Sequence, residues 1–204
     1  MELLYITLGW LFGLLTPPIS SRIDRKYKEK DFRFAICSEL KNLATRIAGL
    51  SFKVHLHLGS LDKPSLRWIG DVYKKYNDGM VTPEMEKIFG ASDADFKTVM
   101  EKYKASENRS LAIKTFSLPV MDSLLGDIWV FDSQFQREIL ELRSQVDILN
   151  QEIENCMQYF FLTFDPSTMS ANATVLNTNL KESHGLIADR CKIVVSKIDV
   201  IIDK

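Results

Sequence analysis

The 204-residue sequence predicts an all-α protein in which an N-terminal transmembrane helix continues into an elongated, coiled-coil-like bundle of three helices with a cap of short helices. Three observations lead to this prediction. The chain opens with an uncharged apolar stretch, three later segments repeat apolar residues at helical spacing, and only nine glycines and six prolines interrupt it. We divide the chain into an anchor at 1–21, a basic juxtamembrane segment with the first long helix at 22–58, a cap at 59–132 and a helical hairpin at 133–204.

The predicted anchor covers the stretch from Leu3 to Ser21, which carries no formal charge. As a helix it would rise roughly 28 Å at 1.5 Å per residue, close to the hydrocarbon thickness of a bilayer. The sequence Thr-Pro-Pro at 16–18 interrupts the apolar run, so a helix that lies in the membrane interface is an alternative. Gly9 and Gly13 form a G-x-x-x-G pair that lets two helices pack closely in lipid, or they are small residues placed by chance.

A cluster of basic residues follows this stretch, whereas the acidic Glu2 precedes it. Lys and Arg mark the cytoplasmic side of membrane helices, and the charge pattern and cleavage site of a signal peptide are missing. The sequence therefore predicts a single-pass protein with its N-terminus outside and its body in the cytoplasm. The residues expected at the membrane surface are Trp10, Arg22, Arg25, Lys26, Lys28 and Lys30.

Three segments repeat apolar residues at alternating steps of four and three, the spacing that keeps one side of a helix apolar. The segment at 135–160 keeps this spacing over more than three heptads, as coiled coils do. The seams predict three long helices that bury their apolar sides together, and they make a homo-oligomer the expected state. The seam residues are Ile36, Leu40, Leu43, Ile47, Leu50, Phe135, Ile139, Leu142, Val146, Leu149, Ile153, Phe160, Leu180, His184, Ile187, Val194 and Ile198.

The cap at 59–132 contains prolines and glycines at short intervals, which predicts several short helices. Thr82-Pro83-Glu84 has the residues of a helix start, and Ser92 followed by Asp93 and Asp95 indicates another. Near the end of the cap, three acids crowd around Trp129 and could line a pocket, although helix capping and a buried tryptophan explain them more simply. These acids are Asp122, Asp127 and Asp132.

Composition excludes several classes of function. A net charge of -1 and a calculated pI near 6.3 provide no basic field for nucleic acid. Cys37, Cys156 and Cys191 are odd in number and lie in apolar helical patterns, which indicates buried thiols in a reducing compartment.

The sequence gives no sign of catalysis or metal binding. His55 and His57 are two residues apart, so on one helix they point to different sides and cannot share a metal ion. His184 lies within a seam, where a polar residue fixes register or pairs with a neighbour. Motifs of phosphate-binding loops, nucleophile elbows and zinc proteases do not occur. We therefore expect a non-enzymatic protein without cofactor or metal.

Four stretches of the sequence carry a resemblance to other proteins. They are "LGWLFGLLTPP", "FSLPVMDSLL", "FQREILELRSQVDILNQEI" and "TFDPS". Together they resemble uncharacterised bacterial proteins with one N-terminal membrane anchor and a helical cytoplasmic body. The resemblance implies a bacterial inner membrane and implies no activity.

These inferences lead to an expected function. We expect a membrane-anchored scaffold or sensor that contacts lipid, oligomerises and binds a protein partner, such as one encoded nearby, through its cap. One alternative is a membrane-perturbing effector of an anti-phage defence system, in which the G-x-x-x-G helix assembles. A second alternative is a hydrolase in the cap that uses Asp122, Asp127 and His184.

Overall fold

The computed structural model describes residues 2–77, 88, 90–103, 111 and 113–203. All the regular elements in these ranges are helices, which confirms the all-α prediction. The helices are α1 (Glu2–Leu58), α2 (Lys63–Tyr76), α3 (Asp93–Tyr103), α4 (Pro119–Leu124), a 3₁₀ helix (Leu125–Val130), α5 (Ser133–Leu162) and α6 (Pro166–Ile202).

The turn between α1 and α2 is made by residues suited to ending and starting helices. Gly59 has a positive φ of 63°, which glycine adopts without a Cβ clash, so the chain can leave α1 there. Asp62 then caps α2 by accepting a hydrogen bond from the Ser65 amide at 2.8 Å. The predicted end of the first long helix near Leu58 is therefore confirmed.

The predicted helix start at Ser92 is also confirmed. The Ser92 hydroxyl accepts a hydrogen bond from the Asp95 amide at 3.1 Å and donates one to the Asp95 carboxylate at 2.7 Å. This reciprocal pairing stabilises the first turn of α3. The other predicted start, at 82–84, lies outside the described residues.

The last helix differs from its predicted form. α6 begins at Pro166 rather than near Ser170, and its backbone leaves helical geometry at Asn172, where φ is -132° and ψ is 17°. Proline suits the first turn of a helix because its missing N–H has no helical partner there. The spacing of apolar residues locates the later part of this helix, but it does not reveal the kink.

The transmembrane part of the fold-class prediction is corrected by the structure. Within the residues that the structure describes, no helix combines the length and apolar character needed to cross a bilayer. α1 runs from its uncharged start into the charged residues 22–33 without a break, and polar or small residues at 7, 9, 13 and 16–18 dilute that start. Residues 1–21 are therefore not assigned as a transmembrane anchor.

The chain divides into two compact units, and each combines segments that are distant in sequence. Unit 1 comprises Met1–Glu39 and Leu118–Gln136, and unit 2 comprises Leu40–Ser117 and Arg137–Lys204. Each unit takes residues from more than one of the predicted segments 1–21, 22–58, 59–132 and 133–204. The long helices α1 and α5 contribute to both units.

Unit 2 is a helical bundle in which the predicted seams form the core. Its buried seam residues are Leu40, Leu43, Ile47, Leu50, Ile139, Leu142, Val146, Leu149, Ile153, His184, Ile187, Val194 and Ile198. Phe160 and Leu180 are partly exposed, and the seam residues Ile36 and Phe135 are buried in unit 1. Because this one chain covers these side chains, they are not available to a second copy in this fold.

Polar contacts add to the apolar packing of unit 2. Lys197 on α6 contacts Glu141 on α5 at 2.5 Å. Lys75 on α2 forms ion pairs with Asp199 and Asp203 on α6, each at 2.8 Å. These contacts hold α6 against two other helices, although exposed ion pairs of this kind each stabilise a fold by less than about 1 kcal/mol.

Candidate binding surface in unit 1

Unit 1 places the segment 118–136 against α1 through carboxylate and guanidinium contacts. Both oxygens of Glu39 accept hydrogen bonds at the start of α4, from the amides of Val120 and Met121 at 2.9 Å each. A carboxylate is well suited to these amides because the first N–H groups of a helix have no helical acceptor. Glu39 therefore fixes where the segment begins along α1.

Arg33 fixes the other end of the segment. Its guanidinium lies 3.8 Å from the centre of the Phe135 ring and contacts the carboxylates of Glu29 at 3.3 Å and Asp132 at 3.0 Å. Asp132 also caps α5 by accepting hydrogen bonds from the amides of Phe135 and Gln134. The hydrogen bond from Phe135 is the main cause that lowers the pKa of Asp132.

Arg25 reaches from α1 to the end of the 3₁₀ helix. It donates hydrogen bonds to the carbonyl oxygens of Val130 at 3.2 Å and Trp129 at 2.9 Å, and its guanidinium lies 5.9 Å from the centre of the Trp129 indole ring. The carbonyls at the end of a helix carry partial negative charge, which a guanidinium neutralises. The Arg25 side chain therefore stabilises the backbone of unit 1 at the end of the 3₁₀ helix.

A cavity of about 560 Å³ lies between α1 and this segment, and we call it the basic cavity. Its volume falls within the range of roughly 300–1,000 Å³ that is common for small-ligand sites. Two aliphatic side chains contribute an apolar wall, and the other lining residues are charged. The lining residues are Arg22, Ile23, Arg25, Lys26, Glu29, Val130 and Asp132.

The charges of the basic cavity are unequally paired. Its two acids, Glu29 and Asp132, both contact Arg33, which lies outside the lining. The side chains of Arg22 and Lys26 make no hydrogen bond or ion pair with any described residue. The cavity therefore presents two unpaired cations, while its two carboxylates share the single guanidinium of Arg33, and its lining carries three cations and two acids.

An exposed apolar stripe lies on α1 beside the basic cavity. Ile23, Tyr27 and Phe34 are 49%, 68% and 78% exposed. On a helix of 3.6 residues per turn these positions fall within about 40° of one another, so they share one side of α1. We call these three residues the α1 stripe. Ile23 belongs both to the stripe and to the lining of the cavity.

The structure locates the residues that the sequence predicted at a membrane surface. Trp10, Arg22, Arg25, Lys26, Lys28 and Lys30 are all exposed on α1. A Cβ added at Gly13 would meet no atom within 4 Å among the described residues, and the surroundings of Gly9 lie outside the description. Gly49 does have a close neighbour, because an added Cβ there would lie 2.9 Å from the Tyr73 hydroxyl.

The histidines lie in unit 2, and two of them touch. The rings of His57 and His184 have centroids 5.1 Å apart, whereas His55 forms a 3.1 Å hydrogen bond with Ser60. Burial is the main cause that lowers the pKa of His184 to about 4, and the charge of His57 is the second cause. In the part of the chain that the structure describes, no group of three or more His, Cys, Asp or Glu side chains is arranged to hold a metal ion.

The acids considered for a hydrolase belong to unit 1, and His184 belongs to unit 2. Asp122 is exposed and Asp127 is partly buried. Trp129, predicted to be buried, is 54% exposed and contacts Arg25.

Sequence reasoning did not identify the α1 stripe or the basic cavity as a site. The stripe has a signal in the sequence, because Ile23, Tyr27 and Phe34 are spaced to share a helix face although lysines separate them. The cavity has no such signal, since its two walls are about one hundred residues apart in the chain.

No family model, curated protein or solved structure matches this chain.

Proposed function

We propose that the protein is a non-enzymatic helical interaction protein that binds an acidic partner protein through the α1 stripe. The observation that supports this proposal is the exposure of Ile23, Tyr27 and Phe34 on one face of α1. Aromatic side chains are enriched at the centres of protein interfaces, where they bury large areas at a small cost in side-chain entropy. An exposed aromatic stripe is therefore a feature that a partner can cover.

The charges around the stripe indicate the chemistry of the partner. Residues 22–33 contain six bases and three acids, a net charge of +3. Lys28 and Lys30 make no ion pair with any described residue, and neither do the acids Asp24 and Asp31. A second copy that used the same face would bring two segments of net positive charge together, which disfavours a symmetric dimer. A different protein with an acidic surface would complement them.

The test compares the capture of a partner by the full-length wild-type protein with its capture by two variants, each of which carries a pair of substitutions. In the first variant, Tyr27→Ser and Phe34→Ser remove the aromatic stripe. In the matched control, Leu186→Ser and Val200→Ser remove two exposed apolar side chains of α6, which are 49% and 47% exposed. We expect the stripe variant to lose a partner that the wild type and the control both retain, and we expect the captured protein to be acidic.

Two outcomes would contradict the proposal. One is a partner that is recovered equally by the wild type and the stripe variant. The other is a stripe-dependent increase in mass by light scattering of the purified protein alone, which would assign the stripe to a second copy. Circular dichroism must show the same helix content for both variants, so that a loss of capture reports on the surface.

A further inference from the structure

The basic cavity shows features of a ligand site that the structure of unit 1 alone does not require. Arg25, Arg33, Glu29 and Asp132 hold unit 1 together through the contacts described above. Arg22 and Lys26 contribute none of these contacts, yet both line the cavity. Two cations beside one concave surface repel each other, and an anion between them relieves that repulsion.

The apolar wall restricts which anions fit. Ile23 and Val130 line the cavity, so a bare inorganic anion would leave part of its volume of about 560 Å³ in contact with aliphatic carbon. Binding sites of this composition bury the apolar body of a ligand against apolar side chains. A small number of polar side chains then contact the ligand's few polar groups. The matching ligand has one anionic group joined to an apolar body.

The position of the cavity indicates where such a group comes from. Ile23 is part of the cavity lining and also begins the α1 stripe, so the two surfaces are continuous. A protein that covers the stripe would place its neighbouring side chains at the cavity mouth. A Glu or Asp beside an aromatic or aliphatic residue supplies the required combination of charge and apolar surface.

We propose that the basic cavity binds an acidic side chain and an adjoining apolar side chain of the partner, with Arg22 and Lys26 contacting the carboxylate. This inference rests on the proposed function, because it assigns a subsite of the same interface. Arg25 remains bonded to the backbone carbonyls, and Arg33 remains bonded to the acids. Neither has to move for the anion to bind.

A matched pair of fluorescent probes tests the chemistry of the cavity. Anilinonaphthalene sulfonate carries a sulfonate on an aromatic body, and phenylnaphthylamine has the same aromatic body without the charge. We expect the full-length protein to bind the sulfonate more tightly, and we expect added salt to weaken that binding. Equal affinity for the two probes would overturn the proposed role of the cations.

Paired substitutions locate the binding. Arg22→Gln with Lys26→Gln should weaken binding of the sulfonate about tenfold, which two lost charge contacts would produce. Lys28→Gln with Lys30→Gln removes the same charge from exposed positions that do not line the cavity, and it should leave the affinity nearly unchanged. Equal effects of the two double variants would assign the binding to net charge and overturn the site.

A pair of peptides tests the assignment to a protein ligand. Acetyl-Glu-Leu-Glu-Phe amide should compete with the sulfonate probe, and acetyl-Gln-Leu-Gln-Phe amide should not. Vesicles of phosphatidylcholine with phosphatidylglycerol provide the other source of an anion on an apolar body. Competition by these vesicles without competition by the acidic peptide would overturn the assignment to a protein partner.

The stripe variant separates this inference from the proposed function, because Tyr27 and Phe34 do not line the cavity. Partner capture that depends on the stripe, without discrimination between the probes, would overturn the subsite alone. Discrimination between the probes without stripe-dependent capture would overturn the proposed function and the assignment of the ligand to a partner protein.

Discussion

At the scale of single residues, charged side chains in unit 1 either hold the fold or remain unpaired. Arg33 contacts two carboxylates and a phenylalanine ring, and Arg25 contacts two carbonyl oxygens. Arg22 and Lys26, within one turn of Arg25, contact no acceptor among the described residues. Residues of the same charge on one helix therefore have different roles, and tertiary contacts decide which role each takes.

The lowered pKa of His184 makes the stability of unit 2 depend on pH. Its pKa is lowered to about 4, whereas an unfolded histidine titrates near 6.5. Between these values the unfolded chain binds more protons, so the free energy of unfolding falls as pH decreases from about 6.5 to about 4. The pKa values of His55 and His57 are also lowered, mainly by burial, and act in the same direction.

We expect His184 alone to lower the free energy of unfolding by roughly 2 kcal/mol between pH 7 and pH 5. Urea unfolding at the two pH values would measure this change, with Trp68 as the reporter of unit 2 after Trp10→Phe and Trp129→Phe. His184→Gln removes the titrating group and should weaken the pH dependence. An unchanged dependence in that variant would contradict the assignment to His184.

At the scale of elements, helix ends are set by local residues, and irregular segments are held by distant ones. Gly59, Asp62 and Ser92 end or begin helices through contacts within a few residues of themselves. The segment before α4 is held differently, because Asn150 on α5 accepts a hydrogen bond from the Phe116 amide and donates one to its carbonyl oxygen, each at 2.8 Å. The side-chain amide of Asn150 thereby gives both backbone groups of Phe116 a hydrogen-bond partner.

Asn150→Ala should destabilise unit 2 by about 2–3 kcal/mol, because both backbone groups of Phe116 would lose their hydrogen-bond partner. Ser144→Ala, at an exposed position of the same helix, is the matched control and should change stability by less than about 0.5 kcal/mol. Urea unfolding followed through Trp68 measures both variants. Similar stabilities would show that the Asn150 hydrogen bonds contribute little.

At the scale of the whole molecule, the partition into two units determines which surfaces remain for binding. The seams that predicted a homo-oligomer are buried by this chain itself, so the reason for that prediction no longer applies to them. Oligomerisation stays a prediction, and the α1 stripe in unit 1 replaces the seams as the surface that we propose for a partner.

Cysteine reactivity measures how completely the core of unit 2 excludes solvent. Burial raises the pKa of Cys156 to about 11 and that of Cys191 to about 12, whereas Cys37 in unit 1 is only half-buried. Because the thiolate is the reactive form, iodoacetamide at pH 8 should modify Cys37 first and leave the other two thiols intact. Mass spectrometry of a time course measures this order. Modification of Cys191 as fast as Cys37 would show that the core opens readily.

Local sequence patterns were enough to predict the helical class, the positions of the long helices and most of the residues that form their cores. These properties follow from local spacing, because apolar residues at steps of three and four specify one buried side of a helix. Helix ends at Leu58 and Ser92 were predictable for the same reason, since glycine and capping side chains act on neighbouring backbone groups. An uncharged stretch, however, was insufficient to establish a transmembrane helix.

The way in which distant segments combine became visible in the folded chain alone. The tertiary structure joined residues 118–136 to the first part of α1, buried the seams within one chain and left Ile23, Tyr27 and Phe34 exposed. It also determined that Arg33 contacts both acids of the basic cavity while Arg22 and Lys26 stay unpaired among the described residues. Local spacing places Ile23, Tyr27 and Phe34 on one helix face, but it cannot reveal the pairing of the cavity residues, because that pairing depends on contacts between residues about one hundred positions apart.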